Sequence, residues 1–129
     1  MGSIVTGLFA FFVVIAVVSN NMLDEQVEKL QFLGLAPLID ELIVSEVVGV
    51  AKPHPAIFRE ALKRLDCEPH EVVMVGDSWS ADIIGAQQLA IRSIWLNRGE
   101  IPCPDAALAT EIRAFEPLEV VMDLLLSPF

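Results

Sequence analysis

The sequence predicts a three-layer α/β domain with a mostly parallel sheet. Short apolar segments rich in β-branched residues alternate along the chain with helical patterns of about ten residues. The strand candidates are apolar at every position, which is typical of strands that are covered on both faces. With 129 residues and neither an internal repeat nor a linker, residues 1–129 are expected to form one domain.

The predicted elements follow one another in a regular order. Strands are expected at residues 12–18, 41–45, 72–75 and 93–96, with a short edge strand near 111–115. Helices are expected at about 22–33, 55–65 and 81–90, and a closing helix at 117–126. Residues 48–50 and 97–105 are expected to be loops, and residues 1–11 form an atypical apolar leader.

Charge and hydropathy exclude several classes of partner. Eight basic and eighteen acidic side chains give a formal net charge of -10, which argues against binding of nucleic acid but leaves room for a small anion. The apolar run at residues 4–18 is too short for a membrane-spanning helix and lacks the basic flank of a signal peptide. Cys67 and Cys103 show no disulfide or metal-ligand spacing, so a cytoplasmic protein with reduced thiols is expected.

Polar residues follow three of the predicted strands. Ser19 and Asn20 end the first, Lys52 comes shortly after the second, and Asp77 and Asp82 follow the third. Ligands of parallel α/β sheets bind beyond the carboxyl ends of the strands. We therefore expect Ser19, Lys52, Asp77 and Asp82 to surround one pocket at this edge, with Asp77 and Asp82 close enough to share an ion.

Each of these residues has a functional and a purely structural interpretation. Asp77 and Asp82 together suit Mg²⁺, but they could instead be a turn former and a helix-start residue. Ser19 and Asn20 could bind a phosphoryl group at a helix N-terminus, or only cap that helix. Lys52 could neutralise anionic charge as a point cation, or be an ordinary solvated lysine.

Taken in order, the motifs resemble those of the haloacid-dehalogenase-like hydrolase superfamily. The segments VSEVVGVAKP (44–53), GDSWSAD (76–82) and WLNRG (95–99) are similar to those of its phosphoglycolate-phosphatase and nucleotidase-type members. The resemblance covers about residues 12–126 and implies a Rossmann-like domain. It also implies Mg²⁺-dependent hydrolysis of a small phosphorylated substrate through an aspartyl-phosphate intermediate.

The resemblance assigns a role to each matching position. Ser19 would bind the transferred phosphoryl group, with the backbone at Asn20 assisting. Lys52 would stabilise the charge of the nucleophile and the phosphoryl group, so Lys52 and Ser19 would be the catalytic residues. Asp77 and Asp82 would hold or orient Mg²⁺.

The sequence departs from the family at the nucleophile. The family uses the first aspartate of an Asp-x-Asp motif that ends an N-terminal strand, whereas no two aspartates here are two apart. The aspartates stand at positions 24, 40, 66, 77, 82, 105 and 123. The nucleophile strand and the cap segment that selects the substrate are therefore expected to be missing, as in a truncated gene product that is inactive alone.

Two other functions remain open at this point. The chain could be a non-catalytic module that binds phosphate and Mg²⁺. A receiver-like signalling domain is disfavoured, because its phosphorylated aspartate precedes its lysine, whereas Lys52 precedes Asp77.

The apolar leader raises a structural question, since the family's nucleophile strand lies between the strands that end at Ser19 and Asp77. A parallel strand there would need a crossover of about ten residues. An antiparallel strand would need a tight turn, and Thr6-Gly7 lies too far from Phe12 to provide it. The leader is therefore expected to form a helix or irregular turn on one face, with the central position open or closed by collapse of the sheet.

Overall fold

A computed structural model describes residues 3–9 and 12–114, in which six strands form one sheet. The order across the sheet is β3-β2-β1-β4-β5-β6. The strands are β1 (Ser3–Phe9), β2 (Phe12–Ser19), β3 (Glu41–Val44), β4 (Val72–Gly76), β5 (Arg92–Leu96) and β6 (Thr110–Ile112). The expected strands at 12–18, 41–45, 72–75 and 93–96 are all present, and β6 matches the predicted edge strand.

Strand β1 contradicts the expectation for the apolar leader. It lies between β2 and β4 and pairs antiparallel with both, with Ile4 opposite Val17 of β2 and Val75 of β4. Phe9 pairs with Phe12, so a two-residue connection suffices and no turn at Thr6-Gly7 is needed. The prediction of a helix beside an open slot was wrong, because unpaired backbone groups on β2 and β4 would be costly and β1 satisfies them.

The remaining pairs follow the predicted parallel pattern. β2 pairs parallel with β3, β4 with β5, and β5 with β6. The carboxyl ends of β2, β3, β4 and β5 therefore meet at one edge of the sheet, which is called the carboxyl edge below. Because β1 runs in the opposite direction, its first residue, Ser3, lies at this same edge beside Val18.

Four α-helices and three short helical turns connect these strands in the described part of the chain. The α-helices are α1 (Leu23–Phe32), α2 (Ser45–Val48), α3 (Pro55–Leu65) and α4 (Ile84–Gln87). The short turns are two 3₁₀ segments (Ala36–Leu38 and Pro69–Glu71) and a π-helical segment (Trp79–Ile83). The closing helix predicted at 117–126 lies outside the described residues.

Two of the helix predictions need correction. Val48 was expected in a loop but ends α2, after which Gly49 takes a left-handed φ of 94°. The single helix expected at 81–90 is instead the π-helical segment followed by α4. In the π-helical segment the Ile83 N–H donates to the Ser78 carbonyl at 3.4 Å, a five-residue contact that apolar periodicity does not encode.

Helix α3 supplies one side of the main core. Its apolar stripe (Ile57, Phe58, Ala61, Leu62 and Leu65) packs on apolar side chains of β2, β3 and β4. Fully burying a side chain of the Ile or Phe type stabilises the fold by about 1.5–3 kcal/mol, so this stripe anchors the helix to the sheet. The helix begins with Pro55 and ends at Leu65, and the next residue, Asp66, has a left-handed φ of 54°. No helix of the described residues is long and apolar enough to cross a membrane.

Candidate functional site

A buried ion pair joins the second and third polar motifs. Lys52 Nζ lies 2.7 Å from Asp82 Oδ1, and the two side chains are 3% and 1% exposed. The residues are thirty positions apart, so the fold brings them together. A lysine and an aspartate at this depth need each other, because an unpaired charge would lose most of its hydration. Lys52 is therefore not the solvated lysine of the structural interpretation.

Asn20 fixes the backbone of Lys52. Its Oδ1 accepts from the Lys52 N–H at 2.8 Å, and its Nδ2 donates to the Lys52 carbonyl at 3.2 Å. The side chain of Asn20, which directly follows β2, thus holds the main chain at Lys52 in the loop that follows α2. The sequence predicted a phosphate contact from the backbone at Asn20; the structure adds that its side chain positions Lys52.

The second oxygen of Asp82 is bound by the turn that precedes it. Asp82 Oδ2 accepts from the Ser78 N–H at 3.0 Å. Gly76 makes room for this carboxylate, since a Cβ built on Gly76 would overlap the Asp82 side chain. Both oxygens of Asp82 therefore hold a hydrogen bond, one of them from Lys52.

Ser19 is fully buried and bound locally. Its hydroxyl donates to Gln26 Oε1 at 3.2 Å and accepts from the Asn21 N–H at 3.1 Å. Asn21 Nδ2 also donates to Gln26 Oε1, and Gln26 is only 3% exposed. This network orients the serine at the start of α1. Gln26 was missed by sequence reasoning, because a polar residue inside a helix carries no signal that it will be buried.

Asp77 is the exposed member of the set. Its backbone carbonyl accepts from Trp95 Nε1 at 3.1 Å, which holds the main chain at the end of β4. Its side chain faces solvent, unlike that of Asp82. Trp95 is buried in β5, where only its position in an apolar strand could have suggested a role near the site.

The net charge of the site favours binding of an anionic ligand together with a cation. Lys52, Asp77 and Asp82 contribute one positive and two negative charges, so a phosphate dianion would meet a net negative site. Mg²⁺ usually keeps several waters and binds through one or two carboxylates plus substrate phosphates. Asp77 fits that mode as an exposed oxygen donor. No group of three or more His, Cys, Asp or Glu side chains that could hold a metal occurs within residues 3–9 and 12–114, so a site of protein ligands alone is not expected there.

The centre of the carboxyl edge is occupied by β1. The register places Ser3 beside Val18 of β2 and Ile4 beside Val75 of β4, next to Gly76 and Asp77. β1 (SIVTGLF) carries no carboxylate. In the described residues, the acidic groups that the motifs bring to this edge are thus Asp77 and Asp82.

Comparison with known proteins places this arrangement among related sequences and structures. A family model described as haloacid dehalogenase-like hydrolase matches residues 2–96. A glyceraldehyde 3-phosphate phosphatase of Methanothermobacter thermautotrophicus is 41% identical over 83 residues, which are 64% of this chain and 37% of that protein. A phosphoserine phosphatase of Thermus thermophilus is 35% identical over 108 residues, 84% of this chain and 43% of that protein.

A solved structure agrees in fold. The crystal structure of a HAD phosphatase from Thermococcus onnurineus superposes with a TM-score of 0.75 at 33% identity, covering 83% of this chain and 49% of that one. The chain therefore spans less than half the length of the proteins to which it is similar here.

Proposed function

Because the chain belongs to the haloacid dehalogenase-like hydrolase family, we propose that its carboxyl edge binds a small phosphomonoester together with Mg²⁺. The observation that carries the proposal is the buried Lys52–Asp82 pair, adjoining the turn that exposes Asp77. The curated relatives named above are phosphatases of phosphoserine and of glyceraldehyde 3-phosphate, which supports a small phosphorylated metabolite as the substrate class.

Each residue has a role in this proposal. Lys52, fixed by Asp82 and by Asn20, provides a positive charge close to the phosphoryl oxygens. Ser19 would hydrogen-bond the phosphoryl group, with the Asn20 backbone assisting. The Ser19 hydroxyl has one hydrogen and donates it to Gln26 here, so this contact requires that the hydrogen bond to Gln26 be exchanged. Asp77 would hold Mg²⁺. The carboxylate of Asp82, which is fixed by Lys52 and by the Ser78 N–H, would help to orient the ion. When bound, Mg²⁺ supplies charge that offsets the phosphate dianion.

This chain alone is not expected to hydrolyse a phosphomonoester. Covalent phosphoryl transfer needs a positioned carboxylate nucleophile, and no two aspartates of the chain stand two apart. Asp77 and Asp82 are assigned to the metal. We therefore infer that the chain contributes the phosphate and Mg²⁺ part of a phosphomonoester hydrolase and shows no turnover by itself.

One observation favours a second candidate, a non-catalytic module that binds phosphate and Mg²⁺. Strand β1 fills the centre of the sheet and pairs with both neighbours, so the position at which the family carries its nucleophile is taken by a segment without a carboxylate. Phosphate affinity without turnover in the natural full-length product would favour this candidate.

Binding of inorganic phosphate to the full chain tests the proposal. Calorimetric titration is expected to show binding that strengthens when MgCl₂ is present. Asp77→Asn should weaken the Mg²⁺-dependent part by about tenfold or more, because the exposed oxygen donor loses its charge. Asp24→Asn, at an exposed position in the first turn of α1, is the matched control and should bind as the parent does.

A second pair of variants tests the cation. Lys52→Met should abolish phosphate binding, whereas Lys63→Met, which removes an exposed lysine from α3, should leave it unchanged. Circular dichroism establishes that each variant is folded before it is titrated. Phosphate affinity that is absent in the parent, or that is equal in the parent and both site variants, would contradict the proposed function.

A further inference from the structure

One aromatic residue next to the Asp77 turn has no role in the function proposed above. Trp79 stands two residues after Asp77, at the start of the π-helical segment, and its side chain is half-buried. One side of the ring packs against Trp95, with a centroid distance of 5.0 Å and an interplanar angle of 73°. Trp79 is therefore only partly covered, and it stands two residues along the chain from the exposed Asp77.

Trp95 holds both the ring and the carboxylate-bearing backbone. It is 1% exposed, and its indole N–H donates to the Asp77 carbonyl at 3.1 Å. The same ring makes the edge-to-face contact with Trp79. One buried side chain thus contacts both the Trp79 ring and the Asp77 backbone. A partly exposed aromatic side chain thus stands next to the turn that carries Asp77.

We propose that Trp79 is a specificity-determining residue that contacts the leaving group of the phosphomonoester and favours a flat or ring-containing group. The inference rests on the proposed function, since it needs the phosphoryl group to be bound near Asp77 and Lys52. A large aromatic surface offers dispersion and stacking but no charge, so it distinguishes ring-containing groups from short, charged ones. If Trp79 served only to pack against Trp95, the nature of the leaving group would not matter.

The test compares two ligands that differ only in the group under question. Inorganic phosphate and phenyl phosphate are titrated into the full chain in MgCl₂. The parent is expected to bind phenyl phosphate about three- to tenfold more tightly, the range of one aromatic contact. Trp79→Leu should bring this ratio close to one while leaving the affinity for inorganic phosphate unchanged, and Trp79→Phe should retain part of it. Phe32→Leu, which removes an 88% exposed ring from α1, is the control.

Fluorescence provides a readout that does not depend on the leucine variant. The chain has two tryptophans, and Trp95 is buried. Phenyl phosphate should therefore change the emission of the parent but not that of Trp79→Phe, in which only Trp95 remains.

The outcomes separate this inference from the function on which it rests. A preference for phenyl phosphate that survives in Trp79→Leu, or equal affinities in the parent, would overturn the role of Trp79 and leave the phosphate site standing. Failure of the parent to bind inorganic phosphate would overturn the proposed function itself.

Discussion

Lys52 Nζ and Asp82 Oδ1 lie 2.7 Å apart in the interior of the domain, and each side chain is the counter-charge of the other. A second contact, from the Ser78 N–H, holds the other carboxylate oxygen. Removal of two charges from water is costly, and their attraction repays this only when the geometry is good and the remaining polar atoms are bound. The pair therefore links the stability of the domain to the arrangement of the site.

Removal of one partner should destabilise the domain strongly. Asp82→Asn takes away the carboxylate that balances Lys52, and breaking a buried pair costs about 3–5 kcal/mol. Urea unfolding followed by circular dichroism measures the change in the free energy of unfolding. The control is Glu60→Gln, which breaks the partly exposed Arg64–Glu60 pair of α3 and should cost about 0.5 kcal/mol or less.

The double variant Lys52→Met/Asp82→Leu tests the same pair by removing both charges at once. With both charges gone, the chain should recover much of the stability lost in Asp82→Asn. If Asp82→Asn and Glu60→Gln cost the same, the buried pair does not contribute as its geometry indicates.

Gly76 leaves the space that the Asp82 carboxylate occupies, so a larger residue at this position should destabilise the fold. A methyl group on this residue would overlap the Asp82 side chain and force it away from Lys52. Gly76→Ala should lower the free energy of unfolding by about 1–3 kcal/mol, the usual cost of overpacking. Gly99→Ala is the matched control, because nothing lies within 4 Å of the added Cβ. Equal effects of the two substitutions would show that the Asp82 side chain can move without cost.

The sequence predicted helix α3 well because several independent signals agree there. Pro55 suits the first turn, the apolar stripe has a helical period, and the stripe fits the face of the sheet. The bounds observed, Pro55–Leu65, are those expected. The presence of buried parallel strands was predictable for a similar reason, since strands that are covered on both faces are apolar at every position.

The antiparallel β1 could not be predicted in this way. The residues between β1 and β2 are Ala10 and Phe11, neither of which favours a tight turn, so local sequence argued against a hairpin. The need to pair the backbone groups of β2 and β4 is a property of the whole sheet, and here it outweighed the local preference.

The details of the site had the same limitation. The sequence placed Lys52 with the phosphate and Asp82 with the metal, but it could not indicate that the two side chains would pair. Hydrogen bonds such as Asn20 to the Lys52 backbone join residues thirty-two positions apart and leave no periodic pattern. The sequence showed which polar residues follow the strand ends, but it could not show which of them contact each other.

The full chain should not hydrolyse a generic phosphomonoester. With Mg²⁺ and p-nitrophenyl phosphate, no release of p-nitrophenolate above the buffer rate is expected, because a carboxylate nucleophile is missing from the motifs. The absorbance assay is run beside a titration with inorganic phosphate, so that an unfolded sample is not mistaken for an inactive one. Turnover in the parent would show that some residue of this chain replaces the missing aspartate as the nucleophile.

The thiol of Cys67 should titrate at a higher pH in the folded chain than in urea. Burial disfavours the thiolate and raises the pKa of Cys67, and the negative charges of Glu71 and Asp66 raise it further. The rate of alkylation against pH, measured in a Cys103→Ser background, gives this pKa in each state. A native profile that coincides with the profile in urea would contradict the shift.

The same shift has a consequence for stability. The native Cys67 thiol holds its proton more tightly than the unfolded one. Its contribution to the free energy of unfolding is therefore fully present below the unfolded pKa of about 8.5 and is lost as the pH rises through the native pKa. Cys67→Ser should therefore flatten the fall in the free energy of unfolding on the alkaline side. The parent and the variant are compared by urea unfolding at a series of pH values.

Strand β1 should behave as a central strand in solution. Residues 4–7 pair with β2 on one side and with β4 on the other, so their interior amides have partners in both directions. Hydrogen exchange of these amides is expected to be slow, close to that of β4, because opening them requires separation of the sheet.

The edge strand β3 provides the internal control, since it pairs only with β2 and leaves one row of backbone groups unpaired within the sheet. Nuclear Overhauser contacts between Thr6 and both Ile15 and Val73 would establish the antiparallel register at the same time. Fast exchange across residues 4–7 with slow exchange in β4 would mean that β1 does not hold the centre of the sheet. In that case the second candidate function would lose the observation that favours it.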